Sequence, residues 1–198
     1  SKSKKNTIDP ENIILNYGAD AARLFILSDS PPEKDIQWSA TGVEAANKFL
    51  QKIWNLNFLI SSRKDVKSNK SNEEKLLAEI NNLIVKIDES INGFRFNVSI
   101  AYFYQVYKIF KEALNNSISN NALSSCIVKI MKLMTPFTPH LSYECLDLFK
   151  CKTADKWPKI DKENVLNEVK LAVQINGKTR DILLINRDMI EEEVSKIL

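Results

Sequence analysis

Residues 39–61, SATGVEAANKFLQKIWNLNFLIS, repeat apolar side chains with the period of an α-helix. Successive members of this set are three or four residues apart or directly adjacent, the spacing of neighbours along one side of a helix. The set comprises Val43, Ala46, Phe49, Leu50, Ile53, Trp54, Asn57 and Phe58. The stretch therefore predicts one long amphipathic helix from Ser39 to about Ser61, whose apolar side needs partners elsewhere in the chain.

The residues before this helix predict a small helical unit. Asp9 and Pro10 suit the cap and first position of a helix, which ends at Tyr17-Gly18. A second short helix is predicted from about Ala19 to Leu27, and Pro31-Pro32 prevents its continuation. The unit covers residues 1–38.

The residues after the long helix predict an antiparallel helical bundle over residues 39–155. A polar loop over residues 63–73 precedes a third long helix over 74–91 and a fourth over 97–114. A fifth helix follows, then a corner over 135–140 and a short last helix over 141–149. The positions expected to face inward are Leu77, Ile80, Leu83, Ile84 and Ile87, then Ile100, Phe103, Tyr104, Tyr107 and Phe110 or Leu114, then Leu123, Ile127, Ile130, Met131 and Met134.

The period changes from helix to strand after Trp157-Pro158. Apolar and other residues alternate over 169–175, Asn176-Gly177 is a strong hairpin-turn signal, and a return strand runs from Lys178 to Ile185. A helix over 189–198 completes a unit with a small core. We therefore expect residues 160–198 to be the start of an incomplete α+β domain behind a mainly α chain.

Charge is distributed unevenly along the chain. The net charge is +3, from 28 basic and 25 acidic residues. Residues 1–40 sum to −1, residues 41–160 to +6 and residues 161–198 to −2. Two explanations fit the excess of positive charge in residues 41–160: binding of a polyanion, or the Lys-rich codon bias of an AT-rich genome. The sequence leaves both open.

Other features exclude several classes of protein. No apolar run approaches the roughly 20 residues of a membrane span. Three widely spaced cysteines do not suit a zinc site or a secreted disulfide scaffold, so we expect reduced thiols in a cytoplasmic protein that binds neither a metal nor a membrane.

No catalytic arrangement is legible in the sequence. His140 is the sole histidine, and its place at a helix start favours a role as a cap or in packing. The glycines are scattered and form no phosphate loop. The aromatic residues Phe49, Trp54, Phe103 and Tyr107 fall on helix faces that we expect to be buried. The residues alone indicate a binding or structural module, and the start at Ser1 suggests a piece of a longer protein.

Five stretches of residues resemble class I aminoacyl-tRNA synthetases. Residues 1–3, SKS, resemble the tail of the KMSKS signature, and residues 17–23, YGADAAR, resemble the segment that follows it across the class. Residues 42–50, GVEAANKFL, 136–140, PFTPH, and 173–180, VQINGKTR, resemble the bacterial-type leucyl-tRNA synthetases in particular. The resemblance covers nearly the whole chain.

The resemblance implies a parent enzyme that ligates leucine to tRNA(Leu) using ATP and Mg²⁺. In the family, the lysine that matches Lys2 neutralises charge on the ATP phosphates, so Ser1, Lys2 and Ser3 correspond to a remnant of an ATP-binding signature. The catalytic core of the family precedes these residues. We therefore expect this chain to lack a complete catalytic site, to need no cofactor and to be inactive alone.

The resemblance also assigns a role to each part of the chain. Residues 1–38 correspond to a stem-contact unit, 39–155 to an anticodon-binding-type bundle, and 160–198 to a C-terminal tRNA-binding domain. The expected partner is tRNA(Leu), bound by a monomer with no obligate protein partner and mainly through its phosphates. The expected contacts are Lys4, Lys5, Lys48, Lys52, Arg95, Lys178 and Arg180.

Spacing supports two of these contact pairs. Lys48 and Lys52 lie four residues apart on the long helix, away from Phe49, and Lys178 and Arg180 alternate along one strand. Both pairs could instead be ordinary solvated surface. The alternatives for the whole chain are the equivalent part of an isoleucyl, valyl or methionyl enzyme, or a helical protein-interaction module without enzymatic activity.

Overall fold

The computed structural model describes residues 10–159, 168–175, 178–186, 189, 193–194 and 197. Within them the chain forms seven main helices and one two-stranded antiparallel sheet. The elements are α1 (Pro10–Tyr17), α2 (Ala19–Asp29), α3 (Ala40–Ser62), α4 (Lys70–Asn92), α5 (Phe96–Ala113), α6 (Asn120–Met134), α7 (Pro139–Leu148), β1 (Glu168–Ile175) and β2 (Lys178–Asn186). The predicted mainly α bundle followed by a β-hairpin is confirmed.

Helix α3 lies at the centre of the bundle and packs against α1, α2, α5, α6 and α7. Ser39 caps the start of this helix, since its side chain accepts a hydrogen bond from the Gly42 N–H at 3.1 Å. Its inward side is fully covered, including the polar Asn57, whose amide donates to the Ile53 carbonyl at 2.9 Å. The predicted amphipathic helix is therefore present, and its apolar face joins these five helices.

Helix α2 shares the core of the bundle. Its residues Ala21, Leu24 and Phe25 are at most 4% exposed and belong to the same buried cluster as α3 to α7. A Cβ atom at Gly42 would lie only 2.5 Å from the Phe25 ring, so α3 can approach α2 this closely because position 42 has no side chain.

Helix α4 begins four residues earlier than predicted. The Asn69 side chain accepts a hydrogen bond from the Ser71 N–H at 3.0 Å and so caps a helix that starts at Lys70. Glu73 in the first turn accepts from the Ser119 N–H at 2.8 Å, and hydrogen bonds from Ser119 hold the pKa of this partly exposed carboxyl below its usual value. The polar composition of residues 70–73 concealed these cap interactions.

Several predicted inward positions are wrong by one or two residues. Leu76 is buried on α4, whereas Leu77 is 36% exposed. On α5 the inward position is Val106, and Tyr104 is 42% exposed. Trp54 and Phe58 on α3 are also exposed instead of buried. Adjacent apolar residues fit a helical face in either phase, and the neighbouring helix decides which one is covered.

The two strands pair in antiparallel register from Glu168↔Asn186 to Ile175↔Lys178. Val173 pairs with Asp181 and Gln174 with Thr179, so Arg180 is an extra residue on β2 at a β-bulge. The predicted Asp9 cap and Asn176-Gly177 turn lie outside the described residues, as does most of the predicted helix over 189–198. None of the described helices combines the length and apolar character needed to span a membrane.

We expect Gly42→Ala to destabilise the fold, although alanine favours a helix by about 1 kcal/mol over glycine. The new methyl group would press on the buried Phe25 ring, and such overpacking costs about 1–3 kcal/mol. Urea unfolding measures the change in free energy. Phe25→Leu provides the matched background, because there the same substitution should be neutral or stabilising. Equal effects in both backgrounds would refute the close contact.

We expect Cys151 to react with iodoacetamide far faster than the other two cysteines. Burial raises the pKa of Cys126 to about 11 and that of Cys145 to about 12. At pH 8 these values leave about one thiolate in 10³ and one in 10⁴ respectively. Cys151 is only partly buried. Mass spectrometry of timed reactions checks the order, and all three should react alike in denaturant; rapid labelling of Cys126 in the folded protein would contradict it.

Candidate nucleic-acid interface

Side chains of α2 hold the corner between α6 and α7. The Asp20 carboxylate accepts a hydrogen bond from the Leu141 N–H at 2.7 Å and lies 3.0 Å from His140 Nδ1. Arg23 donates to the carbonyls of Pro136, at 2.6 Å, and Phe137, at 3.2 Å. The sequence motifs at residues 17–23 and 136–140 therefore lie in direct contact with each other. His140 is bonded to this contact and exposed, so it is not packed in the core.

A groove runs between α3 and α5 on the outer surface of the bundle. Its floor and walls are mostly apolar, and two lysines, Lys52 and Lys111, stand on opposite sides. The lining residues are Lys52, Asn55, Leu56, Leu59, Tyr107, Lys111 and Leu114. We call this the α3–α5 groove. The groove places Lys52, a predicted contact, across from Lys111, a cation that the sequence pattern did not single out.

Tyrosine rings continue the groove toward the start of α3. Tyr104 packs on Phe49 with ring centroids 3.9 Å apart, while Tyr107 meets the same ring edge-on at 6.3 Å. Burial raises the pKa of Tyr104 further above neutral pH, and its phenol can donate a hydrogen bond to an anion. Lys48 lies one turn before Lys52, so cations and aromatic rings alternate along this side of the bundle.

The lysines of the groove differ in their pairing. Lys48 Nζ lies 2.6 Å from Glu44 Oε1, and this ammonium, as hydrogen-bond donor and as charge, lowers the pKa of Glu44. Both side chains are about half or more exposed, so the pair is weak and a phosphate can replace the carboxylate at low cost. The ion pairs found among the described residues include neither Lys52 nor Lys111.

The other predicted contacts do not line the α3–α5 groove. Arg95 is exposed at the start of α5, nine residues before Tyr104 and thus about 14 Å away along the helix axis. Arg180 is exposed on β2 at the β-bulge, where simple alternation of faces is interrupted. Residues 1–5 and the side chain of Lys178 lie outside the described part of the chain.

Sequence reasoning missed Lys111 and the exposure of Tyr104. A signal for both existed in the spacing of Tyr104, Tyr107 and Lys111, which places them on one side of α5. Their relation to Lys52 could not be found, because it depends on which side of α5 packs against α3. In the described ranges, no three His, Cys, Asp or Glu side chains are grouped so as to hold a metal ion.

Residues 73–195 match the model of the anticodon-binding domain of tRNA ligase. The chain belongs to this family. Residues 1–39 match a second model, that of the class I tRNA synthetases for I, L, M and V. The anticodon-binding domain match includes nearly all of α4, α5 to α7 and the hairpin, and the synthetase match includes α1 and α2.

Relatives of this anticodon-binding domain protein support the leucyl resemblance over the whole chain. It is 38% identical to a leucine–tRNA ligase of Roseobacter denitrificans and 36% identical to one of Prochlorococcus marinus strain AS9601. Each match covers 100% of this chain but only 23% and 24% of the relative. The chain thus spans about a quarter of the length of these relatives.

A solved structure gives the same result for the fold. The agnB2 LeuRS of Agrobacterium radiobacter K84, crystallised in a ternary complex with tRNA and LeuAMS, superposes with a TM-score of 0.77 at 26% identity. The match covers 100% of this chain and 26% of that one. The anticodon-binding-type fold predicted from the sequence is confirmed, and none of these matches favours an isoleucyl, valyl or methionyl relative.

We expect Asp20→Ala to destabilise the protein by about 1–2 kcal/mol, because the first turn of α7 loses its capping carboxylate. Asp29→Ala is the matched control on the same helix, since that exposed carboxylate accepts a hydrogen bond from the adjacent Ser30. The control should change stability by no more than about 0.5 kcal/mol. Chemical unfolding of both variants decides the matter; similar losses would contradict the capping role.

Proposed function

We propose that this chain is the tRNA-binding portion of a leucine–tRNA ligase and that the α3–α5 groove contacts the phosphate backbone of tRNA(Leu). The observation that carries the proposal is the placement of Lys52 and Lys111 across one groove with Tyr107 between the helices. Two cations on opposite sides of a groove can contact two phosphates of one strand, whereas a single carboxylate ligand would leave one of the cations without a partner. The family and the relatives given above support the same conclusion.

Backbone recognition fits the composition of the groove. Lysine is a compact charge without a planar fork, so it neutralises phosphates without selecting a base. The Tyr104 ring packs on Phe49 but stays 42% exposed, so it is accessible to the ligand. Binding here should therefore depend strongly on salt and weakly on nucleotide sequence.

The whole protein, as we propose it, ligates leucine to tRNA(Leu) with ATP and Mg²⁺, in the cytoplasm and as a monomer without an obligate protein partner. We assign the stem-contact role to residues 1–38, the anticodon-binding-type role to residues 39–155 and the further tRNA contact to residues 160–198. Lys4, Lys5, Arg95, Lys178 and Arg180 remain proposed contacts of these parts.

Replacement of Lys48, Lys52 and Lys111 by Ala should weaken tRNA binding and flatten its dependence on salt. For every phosphate that is no longer neutralised, the slope of log affinity against log salt should fall by about 1. Filter binding of a tRNA(Leu) transcript at several salt concentrations measures both quantities. The matched control removes the same charge from exposed positions elsewhere, Lys34, Lys67 and Lys75.

An unchanged slope in the groove variant, or an equal change in the control, would overturn the assignment of the groove. A chain that binds tRNA with no salt dependence, or does not bind it, would overturn the proposed function and favour the protein-interaction module.

A further inference from the structure

Residues 150–159, KCKTADKWPK, join α7 to the region before the hairpin and carry half of the positive excess of residues 41–160. We call them the basic strap. The strap contains four lysines and one aspartate, a net charge of +3, which equals the net charge of the whole chain. The strap thus supplies half of the +6 excess of residues 41–160 within ten residues, and this density of positive charge favours the approach of a polyanion.

The strap is fixed to the bundle at both ends. Its first residues turn back on α7, where the Lys150 N–H donates to the Asp147 carbonyl at 2.8 Å. Near its other end, the Trp157 indole N–H donates to the Asp88 carboxylate of α4 at 2.9 Å, and Pro158 is buried. The four lysines nevertheless remain exposed, so their charges project from an anchored backbone. The lysines are Lys150, Lys152, Lys156 and Lys159.

A largely buried lysine side chain reaches the middle of the strap. Lys132 on α6 is 9% exposed, and its Nζ donates to the Thr153 hydroxyl at 2.8 Å. The ion pairs found in the described part of the chain do not include it. Its place in the last turn of α6 gives it the favourable end of the helix dipole, but a hydroxyl and a dipole compensate a buried charge only in part.

We propose that the basic strap is a second phosphate-binding surface for tRNA, separate from the α3–α5 groove. The inference rests on the proposed function, because it names a further contact for the same ligand. A phosphate held by the strap lysines beside Thr153 supplies the anion that the Lys132 site lacks. Lys132 acts as a positioning residue, because its bond to Thr153 fixes the middle of the strap. Its charge also adds to the positive potential beside Thr153.

The alternative is that the four lysines only solubilise the surface. Solubilising charges need no fixed backbone, and they need no buried cation beneath them. The strap has both, since Lys132 and Asp88 tie it to two different helices. An ordered cluster of cations also binds phosphate with less loss of conformational entropy than a free tail of the same composition.

The test compares three lysine-to-alanine variants of the 198-residue chain in filter binding of a tRNA(Leu) transcript across a range of salt. The strap variant carries Ala at positions 150, 152, 156 and 159. The charge-matched control carries Ala in place of the exposed lysines Lys34, Lys64, Lys67 and Lys75. The third is the groove variant. The strap variant should lower the salt slope by about 2–4, and the control by less than about 1.

Lys132→Met tests the buried ammonium separately, with thermal unfolding as a check on folding. It should lower the salt slope by about 1 while leaving all four exposed lysines in place. A photoreactive crosslinker on Cys151, within the strap, supplies a measurement that needs no lysine substitution. Irradiation should crosslink the unaltered chain to labelled tRNA, and an excess of unlabelled tRNA should abolish this crosslink by competition.

The outcomes separate the two proposals. Salt-dependent tRNA binding that survives the strap substitutions unchanged, with no crosslink from Cys151, overturns the strap and leaves the groove intact. Binding of the strap variant to phosphatidylserine vesicles is measured as well. If the strap variant loses vesicle binding but keeps its tRNA binding, the strap inference is overturned in favour of a membrane surface. If the unaltered chain does not bind tRNA, the proposed function fails, and the strap inference fails with it.

Discussion

The burial of one side of α3 is the constraint on which the rest of the structure depends. Five helices pack against this 23-residue element, and their positions follow from the side chains it presents. Because one side is fully covered, polar residues such as Lys48 and Lys52 are confined to the other. The α3–α5 groove is therefore a result of core packing: the contact between Phe49 and Tyr104 sets the separation of the helices that carry Lys52 and Lys111.

A second constraint joins the N-terminal helices to this bundle. Asp20 and Arg23 lie one turn apart on α2 and bind the same corner, one through its carboxylate and the other through its guanidinium. The carboxylate accepts from a free helix N–H, and the guanidinium donates to carbonyls that the turn leaves unpaired. This explains in physical terms why residues 17–23 and 136–140 both stand out as motifs: each supplies the polar groups that the other lacks.

Much of the fold followed from the sequence, because helical period and turn residues are local signals. The long helix at residues 39–61, the Pro136 corner and the hairpin were all predicted near their observed places. The errors have a common cause. Leu76 and Leu77, or Phe103 and Tyr104, are adjacent apolar residues that fit a helical face in either phase, and only the packed neighbour selects which of them is buried. The β-bulge at Arg180 likewise depends on the register of the partner strand.

The candidate site was less predictable than the fold, because it depends on distances between helices. Lys52 could be named from its place on α3, but Lys111 gains its meaning only from the packing of α5 beside it. The same holds for the basic strap. Its four lysines look like solvated linker in the sequence, and the buried Lys132 looks like another surface residue of an amphipathic helix. The Lys132 side chain is largely buried, and its ammonium bonds Thr153 in the middle of the strap, with no carboxylate paired to it among the described residues. A phosphate beside Thr153 would supply the missing anion, which is why the buried residue, more than the exposed ones, distinguishes a binding surface from a solubilising one.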